Sequence, residues 1–333
     1  MFRTIKREII IFAFLVLLCF LSACTAGKTE TFKESDGDLL ILTIGTADSG
    51  GTMYPVGSAI AKAIGGSDEH IKVNISASNG SITNLEALKN GQIDLGLVSG
   101  DVAFCAYNGT EEFSGNANKG VRAIAAVYSS LSNWMAPDAL GITYVHELIG
   151  KQISVGPKDS TTELSARTAL AALGLNETNT AFQNYGLGSG GYEIEKGNVD
   201  AIHGFAGIPI AGLTQLSEKV PSRLLKYTGE ELDQILSGNL YYYQTTIPAN
   251  TYPGQSEDVK TFGVKCLICV SENTSEELVY LLTKILDESR PQLIKSHEAM
   301  APMEQNSFMC QDLPIPLHPG AKRYYKDAGY LSE

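Results

Sequence analysis

The chain has 333 residues, 44% of them hydrophobic and 19% charged, with a formal net charge of −12. An acidic balance excludes general attraction to nucleic-acid phosphates or to anionic lipid. The length exceeds the usual size of a single core, so two lobes are expected rather than one.

At the start, Arg3, Lys6 and Arg7 precede an unbroken apolar stretch from Ile9 to Leu21. That is the layout of a secretory signal, with a basic end, an apolar middle and small residues at the cut. The stretch is too short for a comfortable membrane span of ~20 residues. The run Leu21-Ser22-Ala23-Cys24 resembles a bacterial lipobox. That resemblance implies cleavage after residue 23 and lipid on Cys24, holding the protein to the outer face of the cell membrane; the alternative is an ordinary signal peptide with a chance cysteine. Two or three acyl chains anchor firmly where one is marginal. Removing residues 1–23 takes away Arg3, Lys6, Arg7 and Glu8, so the charge moves from −12 to −14. Residues 24–37 are polar and aperiodic and read as a tether.

Short apolar runs then alternate with helical patterns. Leu39–Thr46 is expected as strand, Tyr54–Ile64 as helix, Ile71–Ser78 as strand and Ser81–Asn90 as helix. Asp94–Ser99 follows as strand, Asp101–Tyr107 as helix and Val121–Ser129 as strand. This alternation implies right-handed crossovers and a largely parallel sheet. Near Trp134–Pro137 the pattern breaks. It resumes with strand Gln152–Pro157, helix Thr161–Leu173, strand Ala181–Tyr185, helix Gly190–Lys196 and strand Asp200–Phe205. Arg223–Tyr227 and Glu230–Leu236 complete the second set. Extended Tyr241–Ile247 leads to a long strand, Val259–Val270, and an amphipathic helix from Ser275 to about Ser296. The expected fold is therefore α/β and two-lobed, with lobe I from 38–130 plus 246–333 and lobe II from 131–245. The crossings near Ser129–Pro137 and Tyr243–Pro248 would act as hinges.

Ligands of open α/β sheets bind beyond the carboxyl ends of the strands. The first strand ends in Gly45-Thr-Ala-Asp-Ser-Gly-Gly-Thr-Met-Tyr54-Pro55 before a helix. Gly50 and Gly51 allow backbone N–H groups to approach a ligand, and a helix N-terminus favours an anion. The run is neither G-x-x-x-x-G-K-[ST] nor G-x-G-x-x-G. Ser76–Ser81 leads similarly into a helix carrying Asn84, and Gly156–Thr162 does so in the other lobe. Asp159, Ser160 or Thr161 suits an N-cap there, with Glu163 in the first turn. Three hydroxyl-rich helix starts on two lobes suggest the polar lining of an anion cleft; the plain alternative is three ordinary caps.

Six stretches make the pattern specific. They are IGTADSGGTMYPVGSAIAKAI, ASNGSITNLEALKNGQIDLGLVSGDVAFCAYNG, ELIGKQISVGPKDSTTELSARTALAALGL, AGIPIAGLTQL, TIPANTYPGQSEDVKTFGV and LPIPLHPGAKRYYKDAGYL. Together they resemble a TAXI-family solute receptor, the extracytoplasmic binding protein of one class of tripartite ATP-independent periplasmic (TRAP) transporters. The resemblance implies a two-lobed type II periplasmic-binding fold, no enzymatic activity, no cofactor, and capture of a glutamate-like amino acid or dicarboxylate for a sodium-coupled TRAP permease. By position it assigns Ser49, Gly50, Gly51, Thr52 and Tyr54 to the first ligand loop and Ser81 and Asn84 to the second. It adds Ser160, Thr161 and Thr162 from the second lobe, with Gly207 and Pro209 near the returning loop. Tyr54 and Tyr185 can offer a ring face and a hydroxyl at once. Thr161 departs from the family's usual glycine, and Ser99-Gly100-Asp101 departs from a frequent glutamine-serine-aspartate triplet. Both changes bear on ligand identity more than on fold.

Asp101 is a ligand candidate that can equally cap its helix. His318 reads as a packing or hydrogen-bonding residue, and His203 lies in a core strand. Arg122 and Arg167 can pair with carboxylates. Cys105, Cys266, Cys269 and Cys310 read as buried small apolar residues, although Cys266 and Cys269 have redox spacing. There is no G-x-S-x-G elbow and no H-E-x-x-H. Hydroxyls without a partnering base bind better than they attack. A sensor lipoprotein of the same fold acting with a membrane kinase is the first rival, and a hydrolase or redox lipoprotein the second.

Overall fold

Two long strands carry the architecture, because they alone run through both halves of the molecule. In the computed structural model, which describes residues 39–47 and 51–332, the strands are β1 (Leu40–Gly45), β2 (Ile71–Ser76), β3 (Leu95–Ser99), β4 (Val121–Pro137) and β5 (Gln152–Ser154). After them come β6 (Ala181–Gln183), β7 (Ala201–Ala206), β8 (Ser222–Leu224), β9 (Tyr243–Ile247) and β10 (Val259–Ser271). The expected signal segment 1–23, the tether 24–37, Cys24, Ser49 and Gly50 lie outside the described residues.

One mixed sheet orders these strands β2-β1-β3-β10-β4-β7-β5-β6, with β8 added to β4 and β9 to β10. β1 pairs parallel with β2 and β3, and β5 pairs parallel with β6 and β7. β10 lies antiparallel between β3 and β4, and β4 continues antiparallel beside β7. Central strands read as continuous apolar runs because both faces are covered. All five residues of β3 and all six of β7 are buried. β2, at the edge, alternates instead and exposes Lys72, Asn74 and Ile75.

Side-chain alternation sends successive residues into different cores. In the first half, Ile44, Leu97, Ile124 and Ile268 join one cluster, while Val98, Ala126 and Leu267 join the cluster on the other face. In the second half, Trp134, Ile153 and Phe205 share one cluster, and Met135, Ile202 and Ala206 the other. Cys266 falls in the first of these clusters and Cys269 in its counterpart across the sheet. Three-residue spacing in a strand thus puts the two sulfurs on opposite faces, so they cannot join in a disulfide. Burial also pushes the Cys266 thiol up to about 12, far from an attacking thiolate.

Helices α1 (Met53–Ser67), α2 (Ser81–Lys89) and α3 (Gly100–Asn108) follow the first three strands. In the second half, α4 (Thr161–Ala172), α5 (Leu187–Glu195), α6 (Ala211–Lys219) and α7 (Gly229–Gly238) follow β5, β6, β7 and β8. The chain ends with α8 (Glu276–Glu288), α9 (Arg290–Ser296), α10 (Asn306–Cys310) and α11 (Pro319–Asp327). α8 buries Val279, Leu282, Thr283 and Leu286 on one stripe and is capped by Ser275, whose hydroxyl accepts from the Leu278 N–H.

Two expectations are corrected here. The helix read from Ser275 to Ser296 is broken at Ser289, because Pro291 lacks the N–H that an interior turn needs. The strand expected to stop at Ser129 runs on through Trp134 to Pro137, pairing Leu131–Met135 with β7. Its Ser-Ser-Leu-Ser-Asn run reads as loop by composition. It is strand because Ser132 and Asn133 find side-chain partners inside.

Candidate functional site

The candidate residues gather where the loops after β1, β2 and β3 meet those after β5 and β7. Thr52 immediately precedes α1, and its Oγ1–H donates to the carbonyl of Gly207, 3.0 Å away at the end of β7. This is a bond between the two halves of the sheet. Gly207 packs so tightly that a Cβ there would lie 2.6 Å from Ala299 Cβ and 2.8 Å from Thr52 Cγ2. Glycine is therefore required by close approach rather than by its φ. Gly51 is half-buried beside Thr52, and Tyr54 is half-buried in the first turn of α1. Pro209 follows a cis peptide from Ile208 and is half-buried, as is Tyr185, which packs against the cluster of β7 and α6.

Ser81 and Asn84 stand at the start of α2 and are buried. Ser81 Oγ accepts the Ser99 N–H at 2.9 Å. Asn84 Nδ2 donates to the carbonyls of Thr46 and Leu97, each at 2.8 Å, and its Oδ1 accepts from Ser78 Oγ at 2.8 Å. In this arrangement the Asn84 amide is occupied by the protein on both its nitrogen and its oxygen, tying the end of β1 to the middle of β3. Asp101, the second residue of α3, is wholly buried. Its Oδ1 accepts the Val102 N–H at 2.9 Å and its Oδ2 the Tyr242 hydroxyl at 3.2 Å. Burial raises the carboxyl above the usual range for aspartate.

On the other half, Ser160 caps α4: its Oγ accepts the Glu163 N–H at 3.2 Å and donates to the Pro157 carbonyl at 2.6 Å. Of the three residues suited to that cap, Ser160 takes the place, and its hydroxyl proton is already used locally. Asp159 is left-handed at φ 60°, held by its N–H to Glu163 Oε2 at 2.7 Å. Thr161 is half-buried and Thr162 buried, with Thr162 Cγ2 filling the space where a Gly156 Cβ would stand. Arg167 pairs with Glu163 at 3.0 Å and with Glu177, and Arg122 with Glu272 at 2.6 Å. His318 caps α11, its Nδ1 accepting the Gly320 N–H at 3.2 Å.

A chain of buried polar groups, unread in the sequence, ends at this site. A carbonyl can only accept, so the 3.1 Å contact between Thr162 O and His203 Nδ1 puts the proton on Nδ1. His203 Nε2 then accepts from Ser132 Oγ at 3.0 Å. Ser132 accepts from the Tyr227 hydroxyl at 2.9 Å, which accepts from Trp134 Nε1 at 2.9 Å. Every donor and acceptor is matched in one direction only. Burial drives the His203 imidazole down to about 3, so it stays neutral. The only signal in the sequence was a histidine inside an apolar strand.

The buried His203 is taken up on both ring nitrogens, by a backbone carbonyl and by a serine that itself sits in the core. The architecture defines the class. Each half repeats the order second-first-third strand followed by an antiparallel crossing strand, β2-β1-β3-β10 and β6-β5-β7-β4. This is the strand order of the type II periplasmic-binding fold.

The chain belongs to the NMT1-like family, which it matches over residues 44–329. Among solved structures it is similar to the periplasmic aliphatic sulphonate binding protein SsuA from Escherichia coli, at 17% identity. That match covers 86% of this chain and 83% of the other, with a TM-score of 0.48. A putative L-cystine ABC transporter protein from Listeria monocytogenes matches at 14% identity over 79% of this chain and 96% of its own, TM-score 0.48. The GluR0 ligand-binding core in complex with L-glutamate matches at 12% identity over 80% of this chain and 100% of its own, TM-score 0.49.

Proposed function

We propose that the protein is a lipid-anchored extracytoplasmic solute receptor of the TAXI type, which captures a small organic anion or amino acid and delivers it to a sodium-coupled TRAP permease. The observation that carries the reading is the Thr52–Gly207 hydrogen bond, which joins the strand-end loops of both halves where such receptors hold their solute. Buried hydroxyls near the starts of α1, α2 and α4, and those helix N-termini themselves, support the reading, because together they would make a donor set suited to a carboxylate. Gly51, Thr52 and Tyr54 would serve from one half, and Thr161, Thr162, Tyr185, Gly207 and Pro209 from the other. Ser81, Asn84, Asp101 and Ser160 would hold those loops in place. Ser49 and Gly50 complete the first loop in this proposal.

Lobe I (38–130 with 246–333) and lobe II (131–245) would close on the solute by bending at β4 and β9, with the ligand favouring closure by its greater affinity for that state. Membership of the NMT1-like family supports the receptor role, and the quoted TAXI motifs support the choice of permease. The direct test is native mass spectrometry of freshly purified protein, followed by calorimetry with the solute recovered, with L-glutamate and with succinate. A carried-through acid that binds stoichiometrically supports the reading. Recovery of a sugar or a metal ion instead would overturn it. The tether has its own test: Cys24→Ser should release the protein from membranes, and a wild-type protein with Cys24 unmodified would remove that part.

A further inference from the structure

Away from the strand-end loops, a cavity of about 590 Å³ opens where α3 and the segment after α10 meet the start of β9. None of the residues assigned to the solute site lines it. Its size falls within the range of ~300–1,000 Å³ typical of small-molecule sites. Five of the eleven lining residues are aromatic: Phe104, Tyr241, Tyr242, Tyr243 and Phe308. Phe104 and Tyr241 lie 5.4 Å apart between centroids, and Tyr241 meets Tyr242 edge to face at 4.7 Å. The tyrosine hydroxyls are engaged elsewhere, Tyr241 with Asn239, Tyr242 with Asp101 and Tyr243 with Ser129, so these residues offer ring surface to the cavity.

One cation stands among the rings. Lys265 Nζ lies 5.1 Å from the Phe308 centroid and donates to the Gln311 carbonyl at 2.7 Å, its only hydrogen bond among the described residues. An ammonium has three hydrogens, so two remain. The only other charged lining residue, Asp312, is exposed, and no ion pair joins it to Lys265 among the described residues. Burial pulls the Lys265 amine below its ordinary value and the charge of Asp312 only partly offsets this, which leaves a remaining cost that an incoming anion would reduce.

We propose that this cavity is a second ligand site, distinct from the solute site, which takes an aromatic carboxylate with its ring between the Phe104–Tyr241 wall and Phe308 and its carboxylate on Lys265. Ring faces supply apolar contact, and the half-buried ammonium supplies a charge-assisted hydrogen bond. The site also has a route to the solute site, since Tyr242 bonds Asp101 one turn before Phe104 on the same helix.

The test is calorimetry on the full purified protein with 2-naphthylacetate as probe and 2-(2-naphthyl)ethanol as its neutral counterpart. Binding of the acid should fall about tenfold or more in Lys265→Met and be restored in Lys265→Arg, since a charged hydrogen bond is lost and regained. Binding of the alcohol should be nearly unchanged by Lys265→Met. Phe104→Ala should weaken both probes, and Thr52→Val neither. Thermal melts of each variant separate lost binding from lost folding. No binding of the acid at millimolar concentration would overturn the proposal. Equal binding in Lys265→Met, or loss in Thr52→Val, would also overturn it, the latter by moving the probe to the solute site.

Discussion

Thr52 and Gly207 are 155 residues apart in the chain, yet the hydroxyl of one donates to the carbonyl of the other at 3.0 Å. The bond holds the two halves together at the proposed solute site. Thr52→Val keeps the shape and removes the donor, at a cost of roughly 0.5–1.5 kcal/mol to the arrangement that this bond holds. Solute affinity should fall up to about tenfold in consequence. Gly207→Ala should do more, because its Cβ would collide with Ala299 and Thr52 and force the halves apart. Small-angle scattering should show a larger radius of gyration for Gly207→Ala than for wild type at saturating solute. An unchanged radius with unchanged affinity would show that the contact does not govern closure.

Ser160→Ala separates capping from binding. The hydroxyl accepts from Glu163 N–H and donates to Pro157 O, so its loss should cost about 1 kcal/mol of stability, the usual value of an N-cap. The melting temperature should drop by a few degrees, while calorimetry should show only a small change in affinity. A large loss of affinity with an unchanged melt would mean that Ser160 turns to the solute instead.

The buried His203 fixes an acid limb. Its folded value is depressed to about 3, below the unfolded value near 6.5. Above that unfolded value both states are neutral and the residue has no effect on the pH dependence. Between pH 6.5 and 3 only the unfolded state takes the proton, so stability falls by about 1.4 kcal/mol per pH unit as pH drops. Asp101, with its carboxyl raised, acts in the opposite sense, but it is common to both proteins in a comparison with His203→Gln. His203→Gln should be less stable at pH 7, where it breaks the bonds to Ser132 and Thr162, and should lose less stability on acidification. Urea midpoints measured at pH 7, 6, 5 and 4 report the slope; parallel slopes would show that another group sets the limb.

Trp134 is 1% exposed, donates to Tyr227, and lies 4.6 Å from the His203 ring, with the two ring planes tilted by 36°. It lies in the Ser129–Pro137 crossing expected to act as a hinge. Its surroundings come from the second half, so closure should leave it shielded. Emission should be blue-shifted and nearly inaccessible to acrylamide, with or without solute. Quenching that changes on solute addition would place the moving boundary inside this core.

The strands and helices were legible because burial is periodic. Leu39–Thr46, Ile71–Ser78 and Val259–Val270 each fall on an observed strand within a few residues. The glycine- and hydroxyl-rich loops were legible for a similar reason, since they stand between a strand and a helix wherever that alternation occurs. The continuation of β4 was not legible, because Ser129-Ser-Leu-Ser-Asn133 has the composition of a loop.

Sequence by itself determined the α/β alternation, the repeat of that alternation in two sets and the positions of the polar turns, all properties of neighbours along the chain. Only the tertiary structure decided which polar groups those turns would spend on the protein itself. Asn84 reaches Thr46, 38 residues away, and Thr162 answers to His203, 41 residues on. Tyr242 meets Asp101 across 141 residues. A buried polar atom must find a partner at about 3 Å, and the fold alone determines which distant residue stands there.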